Sequence, residues 1–505
     1  MRDILFLKLI KSRLFVSITI SFILVIILTG FSMAERAQQT TTIQDYLPGR
    51  FDSALFQIYF KSLEKLDGQE IEFLDLLALQ PLDRQMFYGK KVYQEGFSAS
   101  LALKLKEEVE EKERLLLLLI EEEAALPQPS LPTLPPMKLG ERIFARMISV
   151  QKAIPTIGYS RFAMCGVDTF RTERVVKRVK NYFDWNKQWS KEGLEVEQLA
   201  EAAEKEGNIF LARSLFHEAA GCYHVGSFIN FYDVAQRIKS QDSVRRCYAR
   251  AISLYEEQDR PVRVEIPFRG IHIPGYLMLA NKPGAPLIIF VNVLNNAKEV
   301  ENHFFARDFL KAGFNVFSFD GPGQGEMHRS MRLIPDYEQT IITIIDWLEM
   351  NNNFQIDMER IGVIGLSFGG LFSVTAAALD DRIDCVCSNG GYAYFPPLSH
   401  IRKLSILTKR AVYYMSGYSN MRELFDQFGH LDIKKFPPLK RPMFIVQGGK
   451  DKVVPPEHAY YFMDWATGKD KELLYIEDAD HCCQDYFDIV TPYTIDWFRR
   501  HLLNL

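Results

Sequence analysis

The stretch Arg360-Ile361-Gly362-Val363-Ile364-Gly365-Leu366-Ser367-Phe368-Gly369-Gly370 decides how the rest of this chain is read. Its first half is a short apolar run that reads as a strand, and Leu371 to Leu379 after it reads as a helix of small residues. Between them lies Gly-x-Ser-x-Gly, the spacing of a nucleophile elbow. Ser367 must sit on a very tight turn for its hydroxyl to stand clear of the sheet edge. A side chain two positions to either side would collide with backbone, and Gly365 and Gly369 carry none. The same turn aims the first N–H groups of the helix at a reacting carbonyl, where negative charge develops. Ser367 is therefore read as a nucleophile, not as a turn serine.

Around this stretch the apolar runs are continuous and alternate with helical segments, the pattern of a parallel sheet covered on both faces. They are Leu287–Val291, Phe314–Phe319, Ile361–Gly365, Ile383–Cys387, Met443–Val446 and Leu473–Ile476. Ahead of them Val262, Val264, Ile266 and Phe268 alternate, Arg269-Gly270 turns, and Ile271, Ile273 and Tyr276 resume, which predicts an antiparallel hairpin. A doubly wound sheet puts its chemistry at the carboxyl ends of its strands. Asp451, in Gly448-Gly449-Lys450-Asp451, follows one strand and stands where the acid of a triad is expected. His481 follows the last strand, downstream of both partners, and is the expected general base. Asp320, in Asp320-Gly321-Pro322-Gly323-Gln324-Gly325-Glu326, precedes Ser367 in the chain and reads as a turn-forming aspartate.

From about Trp185 onward the chain resembles the FrsA-like α/β-hydrolases, a group that includes dihydroxypseudooxynicotine hydrolase and fungal polyketide-shortening hydrolases. The resemblance is carried by Tyr223-His224, Arg263 to Phe268, Pro274 to Leu277, Lys298-Glu299, Asp320 to Glu326, Gly365 to Gly370, Asp451 with Pro455, and His481 with Cys483. It implies a helical domain lying over a serine-hydrolase site, and hydrolysis of an ester or of a carbon–carbon bond next to a ketone. It also implies an oxyanion hole made by the backbone N–H groups of Phe368 and of Leu294, in the loop after the strand at Leu287. One departure stands out. The family usually has glycines before its Lys-Glu, where this chain has Asn292 and Val293.

Leu139 to about Glu257 is helical in pattern, with Gly207 separating two amphipathic segments like one hairpin of the tetratricopeptide kind. Its aromatics (Tyr182, Phe183, Trp185, Trp189, Tyr223, Phe228, Phe231, Tyr232) read as core, and His224 as a core histidine. Of 505 residues, 47% are apolar and 25% charged, ordinary globular values, and a net charge of −4 gives no basic field for nucleic acid. No dinucleotide fingerprint, phosphate loop or zinc-spaced Cys/His set occurs, so no cofactor or metal is expected. Seven cysteines without framework spacing read as free thiols.

At the front, Arg2, Lys8, Lys11 and Arg13 precede an apolar run from Leu14 to Phe31, and Ser32-Met33-Ala34 offers a signal-peptidase spacing. This predicts either an anchor with the catalytic part outside the cytoplasm or an exported chain cleaved near Ala34. The chain thus divides into residues 1–34, signal peptide or anchor; 35–126, a helical region of unassigned role; 127–138, a Pro-rich linker; 139–258, a helical cap-like domain; and 259–505, an α/β-hydrolase catalytic domain. The expected activity is that of a serine hydrolase with Ser367, Asp451 and His481 as its triad. The expected substrate is an apolar or aromatic small carbonyl compound, held between the cap and the aromatic insertion Tyr392–Leu439. A catalytically silent hydrolase fold acting as a membrane-linked scaffold is the second reading, and the oligomeric state is left open.

Overall fold

The computed structural model describes residues 159–504, apart from 405, 419 and 420. The sequence readings for residues 1–34, 35–126 and 127–138 lie outside the described residues. Among the described residues no helix is long and apolar enough to cross a membrane.

Among the described residues five α-helices come first: α1 (Tyr159–Met164), α2 (Thr169–Arg178), α3 (Trp185–Lys205), α4 (Ile209–Phe228) and α5 (Val234–Ser253). Gly207 makes the turn between α3 and α4 with a positive φ of 79°, where a side chain would be strained. Ala200, Ala203 and Ala212 let α3 and α4 approach closely around Phe216 and Ala251. Trp185 and Trp189 are fully buried with Phe162, at ring separations of 5.8 to 5.9 Å, so these aromatics are core.

An eight-stranded sheet follows: β1 (Val262–Phe268), β2 (Ile271–Met278), β3 (Pro286–Val291), β4 (Asn315–Phe319), β5 (Asp357–Leu366), β6 (Ile383–Asn389), β7 (Met443–Gly448) and β8 (Lys471–Ile476), in the spatial order β1-β2-β4-β3-β5-β6-β7-β8. β1 and β2 form the expected hairpin. Arg269 and Gly270 both take positive φ (48° and 82°), the backbone twist that a two-residue hairpin loop requires. β2 runs antiparallel to β4, and the pairings from β4 through β8 are parallel.

Both faces are covered by helices, which is why the strands read as unbroken apolar runs. β3 illustrates the arrangement. Leu287, Ile289 and Val291 enter one core with α7 (Glu338–Met350) and α8 (Phe368–Leu379). Ile288 and Phe290 enter the other with α6 (Glu301–Lys311) and α13 (Phe487–Leu502). Each buried Ile, Leu or Phe contributes about 1.5–3 kcal/mol. The insertion after β6 carries α9 (Leu398–Lys403), α10 (Ile406–Ser416) and α11 (Met421–Phe428), and α12 (Glu457–Trp465) connects β7 to β8. With β3 to β8 parallel, the loops after β3, β4, β5, β7 and β8 share one edge of the sheet, and the site is built there.

Candidate active site

Ser367 follows β5 and precedes α8 with φ 53° and ψ −117°, a strained conformation for a residue bearing a side chain. The elbow is held from both sides. The Ser367 N–H donates to the Asn389 carbonyl of β6 at 2.8 Å, and that of Gly370 to the Ser367 carbonyl at 2.9 Å. A Cβ on Gly365 would lie 2.2 Å from the Gly369 carbonyl oxygen, and one on Gly369 2.5 Å from that of Val291, so neither position tolerates a side chain. The spacing of the motif is thus a packing requirement.

His481 lies beyond β8 at the same edge, with its Nε2 2.8 Å from Ser367 Oγ and its Nδ1 2.7 Å from Asp451 Oδ2. Asp451 spends its other oxygen on the N–H groups of Val453 and Val454, each at 2.8 Å. One carboxylate therefore fixes its own loop and the imidazole. Burial would make His481 less basic, but the neighbouring Cys482 sulfur and the Asp451 carboxylate outweigh it and hold its pKa above the ordinary value. Cys482 and Cys483 take positive φ (57° and 52°), turning the chain sharply after His481. The Cys482 sulfur lies 3.6 Å from both His481 Nε2 and the Asn389 carbonyl. All seven cysteines are buried free thiols.

Of the two expected oxyanion donors, Phe368 heads α8 directly after Ser367. Leu294 lies in the loop after β3, half-buried against the apolar cluster that contains Phe231 and Tyr414. That loop is pressed onto the elbow, since the Asn292 carbonyl also stands 2.7 Å from where a Gly369 Cβ would be. Neither Asn292 nor Val293 takes a positive φ, so this part of the loop does not require glycine. The Asn292 side chain donates to the Phe319 carbonyl at 2.9 Å and accepts from Asn302 at 2.6 Å.

Asp320 is fully buried and belongs to a different network. It accepts from Lys298 Nζ at 2.8 Å and from the N–H groups of Lys298 and Glu326 at 3.0 and 2.9 Å. Lys298 Nζ also meets Glu299 at 2.6 Å and Glu326 at 2.9 Å. Burial alone would favour the neutral amine, but Asp320, Glu299 and Glu326 more than offset it and raise the Lys298 pKa. Glu326 resists its own burial through Lys298 and Arg263, which draw its carboxyl down to about 2. This network and the Gln324 carboxamide beside it fall in stretches that carry the family resemblance. Their signal in the sequence was the pairing of Lys298-Glu299 with the Asp320–Glu326 loop.

Two groups of metal-ligand type occur among the described residues: Glu299 with Asp320 and Glu326, and Cys165 with His224 and Glu301, each set of ligand atoms lying within 4.8 Å of one another. The Lys298 ammonium fills the first. In the second, Glu301 is already shared by Arg161 at 3.1 Å and His224 at 3.0 Å, so a cation there would compete with a guanidinium. His224 is buried, as a core histidine should be. Of the insertion's aromatics, Tyr392, Tyr394, Phe395 and Tyr413 are half-buried. Tyr414 is fully buried and stacks on His328 at 3.9 Å, and Phe395 packs on Phe428 at 5.9 Å.

The prolyl oligopeptidase family model matches residues 304–504. The chain is 29% identical over 305 residues to 2,6-dihydropseudooxynicotine hydrolase of Paenarthrobacter nicotinovorans, covering 60% of this chain and 80% of that protein. The crystal structure of the 2,6-dihydroxy-pseudo-oxynicotine hydrolase superposes with a TM-score of 0.62 at 26% identity, over 69% of this chain and 96% of that one. An uncharacterised 31.7 kDa protein of Escherichia coli is 30% identical over 265 residues, 43% of this chain and 91% of its own length. The chain belongs to the α/β-hydrolase family. The alpha/beta hydrolase xenA of Xenoacremonium sinensis, 27% identical over 244 residues, shares 46% of this chain and 57% of its own. As a member of the family the protein is a hydrolase, and its sheet, elbow and last-strand histidine occupy the places that the fold gives them.

Proposed function

We propose that this α/β-hydrolase is a serine hydrolase that cleaves an apolar or aromatic carbonyl compound through Ser367, His481 and Asp451. The observation that carries the reading is the unbroken chain of contacts from Ser367 Oγ to His481 at 2.8 Å and from His481 to Asp451 at 2.7 Å, on an elbow strained at φ 53°. Ser367 Oγ attacks the carbonyl carbon while His481 Nε2 takes its proton, and Asp451 holds the imidazole in the tautomer that can accept it. The N–H groups of Phe368 and Leu294 receive the oxyanion. Collapse of the tetrahedral adduct expels an alkoxide from an ester, or an enolate where the bond lies next to a ketone. His481 returns its proton to either leaving group. Water activated by the same imidazole then releases the acyl group from Ser367. The similarity to a pseudooxynicotine hydrolase supports a small organic substrate.

The test is a fluorophosphonate probe together with a panel of aryl esters and β-diketones. Wild type should be labelled and Ser367→Ala should not, while Ser373→Ala, whose hydroxyl bonds the Gly370 carbonyl inside α8, should still be labelled. Labelling that survives in Ser367→Ala overturns the nucleophile and leaves the scaffold reading. Turnover of esters or of diketones by wild type then identifies the bond cleaved. The basic residues ahead of Leu14–Phe31 extend the proposal to membrane attachment or export. Full-length protein freely soluble in the cytoplasm contradicts that extension.

A further inference from the structure

We infer that Gln324 is a positioning residue that sets the oxyanion donors of the loop after β3. The inference deepens the serine-hydrolase reading and rests on it. Gln324 is fully buried, so it lies outside the reach of substrate. Both ends of its carboxamide are engaged. Oε1 accepts from the Tyr337 hydroxyl at 2.6 Å and from the Gly321 N–H at 3.2 Å. Nε2 donates to the carbonyls of Asn292 at 3.2 Å and Val293 at 2.8 Å. A backbone N–H can only donate and a backbone carbonyl can only accept, so the amide has one chemically consistent orientation.

The peptide plane turns that clamp into a statement about catalysis. In a trans peptide the C=O and the following N–H point in opposite directions. Holding the Asn292 and Val293 carbonyls toward Gln324 therefore turns the Val293 and Leu294 N–H groups away from it. The Val291 and Asn292 carbonyls lie against Gly369, next in the chain to the Phe368 amide, so this stretch of loop borders the elbow, and the donor that Gln324 positions is the Leu294 N–H, whose peptide carbonyl is that of Val293. Asn292 and Val293 take ordinary φ, so no left-handed backbone fixes the peptide orientation here. Gln324 chooses it. Its partner Tyr337 is itself fully buried and holds the carboxamide oxygen from the opposite side.

The experiment compares full-length wild type, Gln324→Leu and Tyr337→Phe on an aryl ester, with active sites counted by fluorophosphonate titration so that unfolded molecules drop out. Gln324→Leu keeps the volume and loses the donor. Removing an oxyanion donor outright costs about 10²–10³ in kcat, and misaiming one should cost roughly 10–100-fold. KM should stay within about twofold, and affinity for a trifluoromethyl ketone, whose adduct fills the oxyanion hole, should fall in proportion to kcat. Tyr337→Phe frees one side of the carboxamide and should lose kcat by a few-fold, again in step with ketone affinity; it keeps the question answerable if Gln324→Leu does not fold. A lower melting temperature with unchanged kcat per titrated site, or a loss confined to KM, overturns the inference. Failure of the serine reading looks different, because wild type itself would then neither label nor bind the ketone through Ser367.

Discussion

Asp320 and Asp451 are both buried aspartates after a strand, and exchanging each for asparagine separates a structural acid from a catalytic one. In Asp320→Asn, an N–H₂ must face some of the donors that the carboxylate now accepts, namely Lys298 Nζ and the N–H groups of Lys298 and Glu326. Breaking a buried ion pair typically costs about 3–5 kcal/mol. Lys298 keeps Glu299 and Glu326, so the low end applies, about 3 kcal/mol. At roughly 2–4 °C per kcal/mol for a domain of this size, the melting temperature should fall by about 6–12 °C. In Asp451→Asn the amide oxygen can still accept from Val453 and Val454, so the loop and the melting temperature should change little. The new N–H₂ would donate to His481 Nδ1, place the ring proton on Nε2 and point it at Ser367. Turnover should then fall about 10⁴-fold. The assay is thermal denaturation beside kcat on an aryl ester, normalised to folded protein. A 10⁴-fold loss in Asp320→Asn at unchanged melting temperature, with a merely unstable Asp451→Asn, would refute the assignment of the two acids.

Three further outcomes are expected. Because the His481 pKa is raised and the base must be neutral to act, kcat/KM should rise with pH through a midpoint above the ordinary histidine value of about 6.5, read from a pH–rate profile. His303 and His328 are held neutral, each with a pKa lowered to about 3, by burial first and then by Arg307 and Arg332 respectively. The stability they contribute is fully present above about pH 6.5 and is lost as pH falls toward about 3; each should cost on the order of 1 kcal/mol per pH unit within that window, and the urea midpoint of His303→Gln should fall less steeply with acid. Gly369→Ala would drive a Cβ into the Val291 and Asn292 carbonyls, so it should lose about 1–3 kcal/mol in urea denaturation and most of its turnover.

The sheet was legible because burial on both faces leaves its mark on every residue of a strand. β3, buried throughout, is a continuous apolar word, and all six runs read as parallel strands became β3 to β8. The three residues read as a triad were legible as candidates because Gly-x-Ser-x-Gly is a short local pattern, even though Gly369 is required by the distant Val291 carbonyl, and chain order then singled out Asp451 and His481. The Lys298 network and the Gln324 clamp could not be read in this way. Their bonds join loops 22 to 32 residues apart, and which side chain meets which depends on β3 and β4 lying side by side. The role of Tyr414 escaped for a related reason. Composition marks an aromatic as apolar, but only the fold stacks it on His328.

The sheet's strand order also sets when the chemistry becomes available. The chain leaves the ribosome with Ser367 and then Asp451 already made, and His481 arrives only behind β8. That strand is the sheet's last, paired on one side to β7, and none of its residues is fully buried. A nascent chain is therefore chemically silent until its final strand zips into place. A half-buried edge strand of this kind should open at lower cost than the sheet's centre, so loss of turnover should run ahead of global melting, as a fuse blows before the wiring does.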